Sequence, residues 1–223
     1  MSARRYFTLR ASLPALPEFT MADRLPINLL RLQARLNMLD PEDREQLDIA
    51  APLLAWDREA VARVDQQLAR SYEAIRPRLA NTVLREFVDG QLENRTLLAA
   101  LRRRRLGQQS PPDRFRWGIG KRVYWLADHW QDPHFSLEKP LPWLPQAREC
   151  METGDAVGLQ RLMLGVAWRE LGHIMDRYPF RFEAVFAYAF KWGILNRWLT
   201  YSADAAIERF RELVTEGMGE YEL

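Results

Sequence analysis

The sequence predicts an all-α, multi-helix bundle. Three observations carry that prediction. Apolar residues recur at spacings of three and four along most of the chain, capping residues, glycine and proline mark where helices start and stop, and the period-two alternation of a half-buried strand is almost absent. Helical layers packed on helical layers are the architecture that buries so many apolar stripes.

The opening Tyr6-Phe7-Thr8-Leu9-Arg10-Ala11-Ser12-Leu13-Pro14 is strand-like in composition, but Pro14 and Pro17 break it and no partner strand follows. It is read as a short extended N-terminal arm, or a short helix, laid on the core. Leu25, Leu29, Leu32, Leu36 and Leu39 then form one stripe of an amphipathic helix. Asp40-Pro41-Glu42-Asp43 supplies an N-cap, a first-turn proline and acidic residues at the positive dipole end. The helix that starts there carries Leu47, Ala50, Leu53 and Leu54, and Pro52 should kink or end it.

Val61, Val64, Leu68 and Tyr72 continue the pattern to a boundary near Pro77. Asn81 then caps the most strongly patterned helix, in which Val83, Leu84, Phe87, Val88, Leu92, Leu97, Leu98 and Leu101 share one broad face and Gly107 offers the stop. Val123, Leu126, Ala127 and Trp130 mark a helix ending near Asp132-Pro133. The four prolines between 133 and 145 alternate with Phe135, Leu137, Leu141, Trp143 and Leu144, which predicts a packed loop. Helical patterns over 144–153, 156–177 and 182–201 follow, with Asp204 capping a last segment. The polar, proline-bearing stretch 107–116 divides the chain into an N-terminal helical unit, 1–106, and a C-terminal one, 117–223; one continuous domain over 1–223 is the alternative.

Composition narrows the function classes. With 32 basic against 30 acidic residues the net charge is only +2, and 48% hydrophobic content is that of a globular chain, not a disordered one. Nucleic-acid binding would want more net positive charge and a recognisable module. Lys121, Lys139 and Lys191 are the only lysines, so arginine, with its planar fork for carboxylates and its stacking on aromatics, dominates the cations. The lone Cys150 allows no intrachain disulfide and points to a reducing compartment. The first ten residues lack the apolar run of a signal peptide, and the most apolar stretch, 182–199, carries Glu183, Lys191, Asn196 and Arg197. A cytoplasmic chain without a membrane span is expected.

No catalytic residues, metal site or cofactor are expected. His129, His134 and His173 lack metal-ligand spacing, and Cys150 lies among acidic neighbours that oppose a thiolate. Gly118-Ile119-Gly120-Lys121 resembles a phosphate loop only faintly, because Arg122 stands where the hydroxyl belongs and the glycine spacing is wrong.

Two clusters stand out. Arg102-Arg103-Arg104-Arg105 ends the strongest helix, where cations complement the negative dipole end and can also grip an acidic partner. The block from Arg114 to Trp125 interleaves arginines and aromatics, the residue types that anchor interfaces or fill cores. Candidate partner-binding residues are therefore Arg102, Arg103, Arg104, Arg105, Arg116, Trp117, Lys121 and Arg122. The alternative is a helical small-ligand protein or enzyme whose pocket is lined by Trp117, Tyr124, Trp125 and Trp143, with Arg116 or Arg122 fixing an anion.

Residues 87–104, Phe-Val-Asp-Gly-Gln-Leu-Glu-Asn-Arg-Thr-Leu-Leu-Ala-Ala-Leu-Arg-Arg-Arg, resemble a recurring helix of the central-stalk socket subunit of V-type and A-type rotary ATPases, through Asn94, Leu101 and Arg102. Tyr188, Lys191 and Asn196-Arg197-Trp198 sit at similar spacing in a later helix, where Gly193 replaces the usual acidic residue. Over its length the chain looks like a small bacterial family encoded beside V-type ATPase genes. The shared features are Tyr6-Phe7, Ala11-Ser12-Leu13-Pro14, Met38-Leu39-Asp40-Pro41-Glu42-Asp43, Trp117-Gly118 and Pro142-Trp143-Leu144-Pro145. The resemblance implies a non-catalytic subunit or assembly factor that links the central rotor shaft to the ion-translocating membrane ring. Central-stalk and membrane-ring subunits are the implied partners, and they alone would hold the chain at the inner membrane. The chain is about one third shorter than the usual socket protein, so at most two of its repeated helical units fit.

Overall fold

The computed structural model describes residues 6–54, 66–113 and 117–219. Among them are nine α-helices and no strand: α1 (Phe7–Ser12), α2 (Leu29–Leu36), α3 (Pro41–Leu53), α4 (Gln66–Ile75), α5 (Thr82–Arg105), α6 (Val123–Asp128), α7 (Leu144–Thr153), α8 (Ala156–Arg177) and α9 (Phe182–Gly219). The stripe positions Val61 and Val64 and the basic positions Arg114 and Arg116 lie outside the described residues.

Local signals account for most boundaries. The Asn28 side chain accepts from the backbone N of Arg31, Asn81 from Leu84 and Asp155 from Gly158, so three helices begin on side-chain caps. Gly107 takes φ +80° just past α5, and the backbone N of Gln108 returns to the Arg103 carbonyl, a glycine-assisted stop that satisfies an orphan acceptor. Pro41 opens α3 and Pro52 stands in its last turn, where the helix ends.

Four boundaries differ from expectation. The N-terminal arm is not extended: residues 7–12 form α1, and Ser12 Oγ donates to the Leu9 carbonyl. Asp40 sits at the cap position of α3 but makes no capping bond, because the Tyr6 hydroxyl brought in beside α1 donates to its Oδ2 at 3.1 Å. The helix after Val123 stops at Asp128, short of Trp130, whose indole Nε1 instead donates to the Gln108 carbonyl. No new helix starts at Asp204, since α9 runs unbroken through that position.

Two hydrophobic clusters share α5 and α8. The first gathers Leu9, Phe19, Leu32, Leu47, Tyr72 and Leu84 to Leu92 with Leu164 to Leu171 of α8 and Phe182 to Leu195 of α9. The second gathers Leu97 to Leu101 with Trp117, Trp130, Phe135, Trp143, Leu144 and Met151, flanked by Leu159, Met163 and Val166 of α8. Each cluster therefore draws side chains from both sides of the 107–116 connection. The proline-rich loop is packed as its pattern predicts: Phe135 is fully buried, and the Arg104 guanidinium lies 4.9 Å from its ring centre.

The N-terminal segment is tied down by indoles from the last two helices. Trp168 Nε1 donates to Glu18 Oε2 at 2.8 Å, and Trp192 Nε1 to the Ile27 carbonyl at 2.7 Å. Each of these indole N–H groups finds its partner on a chain segment more than 100 residues away. No helix among the described residues is long and apolar enough to cross a membrane.

Candidate functional site

α8 and α9 pack along each other, while α5 packs on α3, α6, α7 and α9. Where α5, α8 and α9 meet they leave a cleft of about 230 Å³. From α5 it is lined by Gln91, Asn94, Arg95, Leu98 and Arg102, residues at spacings of three and four on one face. Leu159, Gln160 and Met163 of α8 form the facing wall, and Arg197 and Tyr201 of α9 close one side. The walls are mostly apolar, three guanidinium groups reach them, and the described lining residues include no Asp or Glu.

These arginines are poorly hydrated. Arg95 is buried, and burial pulls the Arg102 guanidinium below its ordinary value. Arg197 Nε is buried without a hydrogen-bond partner. That single Arg197 N–H, withdrawn from water, costs free energy that an acceptor would recover. Glu170 stands behind the α5 wall, where Gln91 Nε2 donates to its Oε2 at 2.9 Å; burial raises its carboxyl to about 7, and the amide bond offsets part of that rise.

The four consecutive arginines do not share a face, since successive helical residues turn by about 100°. Arg102 enters the cleft, Arg103 Nη1 donates to Gln108 Oε1, and Arg104 Nη1 donates to the Asp132 carbonyl at 2.7 Å. Only Arg105 of the four is exposed. Trp117 is buried edge-on against Trp130 as core, while Lys121 is exposed. Arg122 is bound to Glu93, through an ion pair and through its backbone N, which donates to Oε1 at 2.8 Å.

Of the resemblance residues, Asn94, Arg102 and Arg197 line the cleft. Leu101 is buried in the second cluster, and Asn196 is exposed. The later helix turns its other matching residues inward: Tyr188 is buried, and Lys191 Nζ lies 4.0 Å from the Trp168 ring centre.

The aromatic pocket expected around Trp117 and Trp125 does not form. Trp117 and Trp143 are buried in the second cluster, Tyr124 and Trp125 are exposed at 56% and 44%, and the Trp125 indole N–H is committed to the Phe135 carbonyl. Helical periodicity explains the split: Tyr124 and Trp125 sit on the outer face of α6 while Val123 and Leu126 take its inner one.

The glycine pair beside them serves close packing. A Cβ on Gly118 would overlap Thr96, and one on Gly120, whose φ is +116°, would lie 2.6 Å from the Glu93 side chain. Thr96 Oγ1 donates to the Ile119 carbonyl and accepts from its N, both at 2.8 Å. Next to this clamp a groove of about 690 Å³ holds both signs of charge, with Asp89 gripped by Arg76 and by the Tyr72 hydroxyl at 2.6 Å. No cluster of three metal-ligating side chains occurs among the described residues.

Arg95, Gln91, Gln160, Met163 and Tyr201 escaped the sequence reading. The signal for the first two was present, since Gln91, Arg95, Leu98 and Arg102 recur at spacings of three and four along one stripe of the strongest helix. The others reach the cleft only through the packing of α8 and α9.

No curated protein and no solved structure matches the chain. One family model does match, over residues 32–219, and its description is a protein of unknown function, DUF2764. That match covers most of the chain, which therefore belongs to the DUF2764 family.

Proposed function

We propose that this protein is a non-catalytic subunit or assembly factor of a V/A-type rotary ATPase, linking the central rotor shaft to the membrane ring. The observation that carries this reading is convergence. Asn94 and Arg102 on α5 and Arg197 on α9, residues of the two separate stretches that resemble the socket protein, line one cleft. Residues of two distant segments gathered on one partly apolar surface suit an interface with another protein. On this reading the chain meets the membrane only through its partners.

The test is affinity purification of the tagged chain from its native membranes, with the co-purifying proteins identified by mass spectrometry. Shaft or ring subunits at near-stoichiometric amounts are the expected result. Their complete absence from a well-folded preparation would defeat the adaptor reading.

A further inference from the structure

Between the last turn of α5 and α7 lies a hollow of about 160 Å³, and we infer that it binds a phosphate group, free in solution or at the head of a membrane lipid. Arg104 and Arg105 of α5 and Arg148 of α7 line it, with Leu101, Met151 and Glu152. The hollow shares no described lining residue with the cleft, and its chemistry does not rest on the adaptor reading.

Leu101 stands three and four positions before the two α5 arginines, so it lies between them on the helix surface, and with Met151 it makes a buried apolar floor. Guanidinium groups above such a floor are partly withdrawn from water, which strengthens their pull on an anion. Arg104 is fixed in place: Nη1 donates to the Asp132 carbonyl at 2.7 Å, and the guanidinium carbon lies 4.9 Å from the Phe135 ring centre. Burial first, and then the charge of Arg148, holds Arg104 below its ordinary value, so the two cations are close enough to repel. Arg148 uses only its Nε, which donates to Glu152 Oε1 at 2.6 Å. Arg105 is exposed and has no ion-pair partner among the described residues.

Charge and size select the ligand. Three guanidinium groups face one carboxylate, and the C-terminal dipole ends of α5 and α7 each add about half a negative charge, so positive charge is left over. A planar carboxylate is satisfied by one fork, whereas a phosphate group carries about −1.5 to −2 at pH 7 and offers oxygens to forks arriving from two helices. At about 160 Å³ the hollow has room for roughly five waters, the size of one phosphate group. It falls well short of the roughly 300–1,000 Å³ that drug-sized ligands take.

Calorimetry of the full chain titrated with inorganic phosphate, and with acetate as the planar control, tests this. Sedimentation with phosphatidylcholine vesicles, with and without phosphatidate, asks whether the same site takes the group from a lipid. Both are done on the wild type and on R105Q, R148Q, E152Q and R103Q, each checked for an unchanged helical circular dichroism spectrum. Arg103 lies two positions from Leu101, on the opposite side of α5, so R103Q matches the loss of charge without touching the hollow.

The expected result is binding of phosphate, free or on phosphatidate vesicles, with no binding of acetate or of plain phosphatidylcholine. R105Q and R148Q should each weaken it about tenfold, and R103Q should leave it unchanged. E152Q removes a like charge beside the anion and should tighten binding several-fold, a gain that damaged folding cannot produce. Vesicle binding that needs phosphatidate and follows the same order of variants assigns the group to a lipid; calorimetric binding without it assigns the free anion. The inference is overturned if neither probe binds, if acetate matches phosphate, if R103Q weakens binding as much as R148Q, or if E152Q fails to tighten it.

Discussion

Burial changes the acid chemistry of Glu170. Its carboxyl moves from 4.5 to about 7 because burial penalises the anion, and the amide donor from Gln91 offsets only part of that penalty. Between those pH values the folded chain holds a proton that the unfolded chain has released, so stability falls as pH rises through the window. Glu170→Gln keeps the shape and an acceptor for Gln91. It should therefore be more stable than wild type at pH 8 by up to about 3 kcal/mol, with the difference vanishing near pH 4. Urea denaturation at several pH values measures this, and parallel curves for the two proteins would refute it. Tyr188 is a second case: its hydroxyl is buried without a hydrogen-bond partner, and burial pushes it up to about 12. Removing an unpaired buried hydroxyl removes a desolvation cost, so Tyr188→Phe should be neutral or stabilising by up to about 1 kcal/mol in the same assay. Neither site was legible in the sequence. Nothing about Glu170 within its own helix says that Gln91, 79 positions earlier, donates to it.

At the scale of elements, the clamp between α5 and the 117–122 loop replaces the faint phosphate-loop reading with a packing one. Gly118→Ala would push a methyl into Thr96 and should cost about 1–3 kcal/mol. Thr96→Val, nearly isosteric, would strand both backbone groups of Ile119, at a cost of about 1–3 kcal/mol for each buried group left unpaired. Melting temperatures of the two variants, compared with a surface control such as Lys121→Ala, check this directly. Asn81 acts at the start of α5, where its Oδ1 accepts from Leu84 and its Nδ2 donates to Glu183 of α9 at 3.1 Å. Loss of the cap in Asn81→Ala should cost about 1–2 kcal/mol, read by chemical denaturation. The cap was legible because capping is a matter of neighbouring residues. Its second bond, to a helix 102 positions later, was not.

At the scale of the whole molecule, α5 and α8 thread both hydrophobic clusters, and the first half of α9, from Phe182 to Leu199, returns onto the first cluster. A charge placed at Gln160, which lines the cleft and belongs to neither cluster, acts on the cleft without breaking either core. Gln160→Glu should therefore weaken co-purification of the partner about tenfold or more, while Arg105→Glu, on an exposed residue outside the cleft, should leave it largely intact. Quantitative mass spectrometry of the purified complexes separates the two outcomes, and equal loss in both variants would place the contact elsewhere.

By itself the sequence determined the helical class, the strongest helix with its Asn81 start and Gly107 stop, the packed proline loop, and the poor fit to a metal or phosphate-loop motif. These follow from periodicity and from groups a few bonds apart, which act the same way whatever surrounds them. Only the tertiary structure decided that residues 7–12 coil into α1, that Arg102 to Arg105 point four ways, that Trp117 is core while Trp125 is surface, and that Arg102 and Arg197 share a cleft. Those outcomes depend on which helices pack against which, a through-space energy summed over many weak contacts that no local spacing encodes.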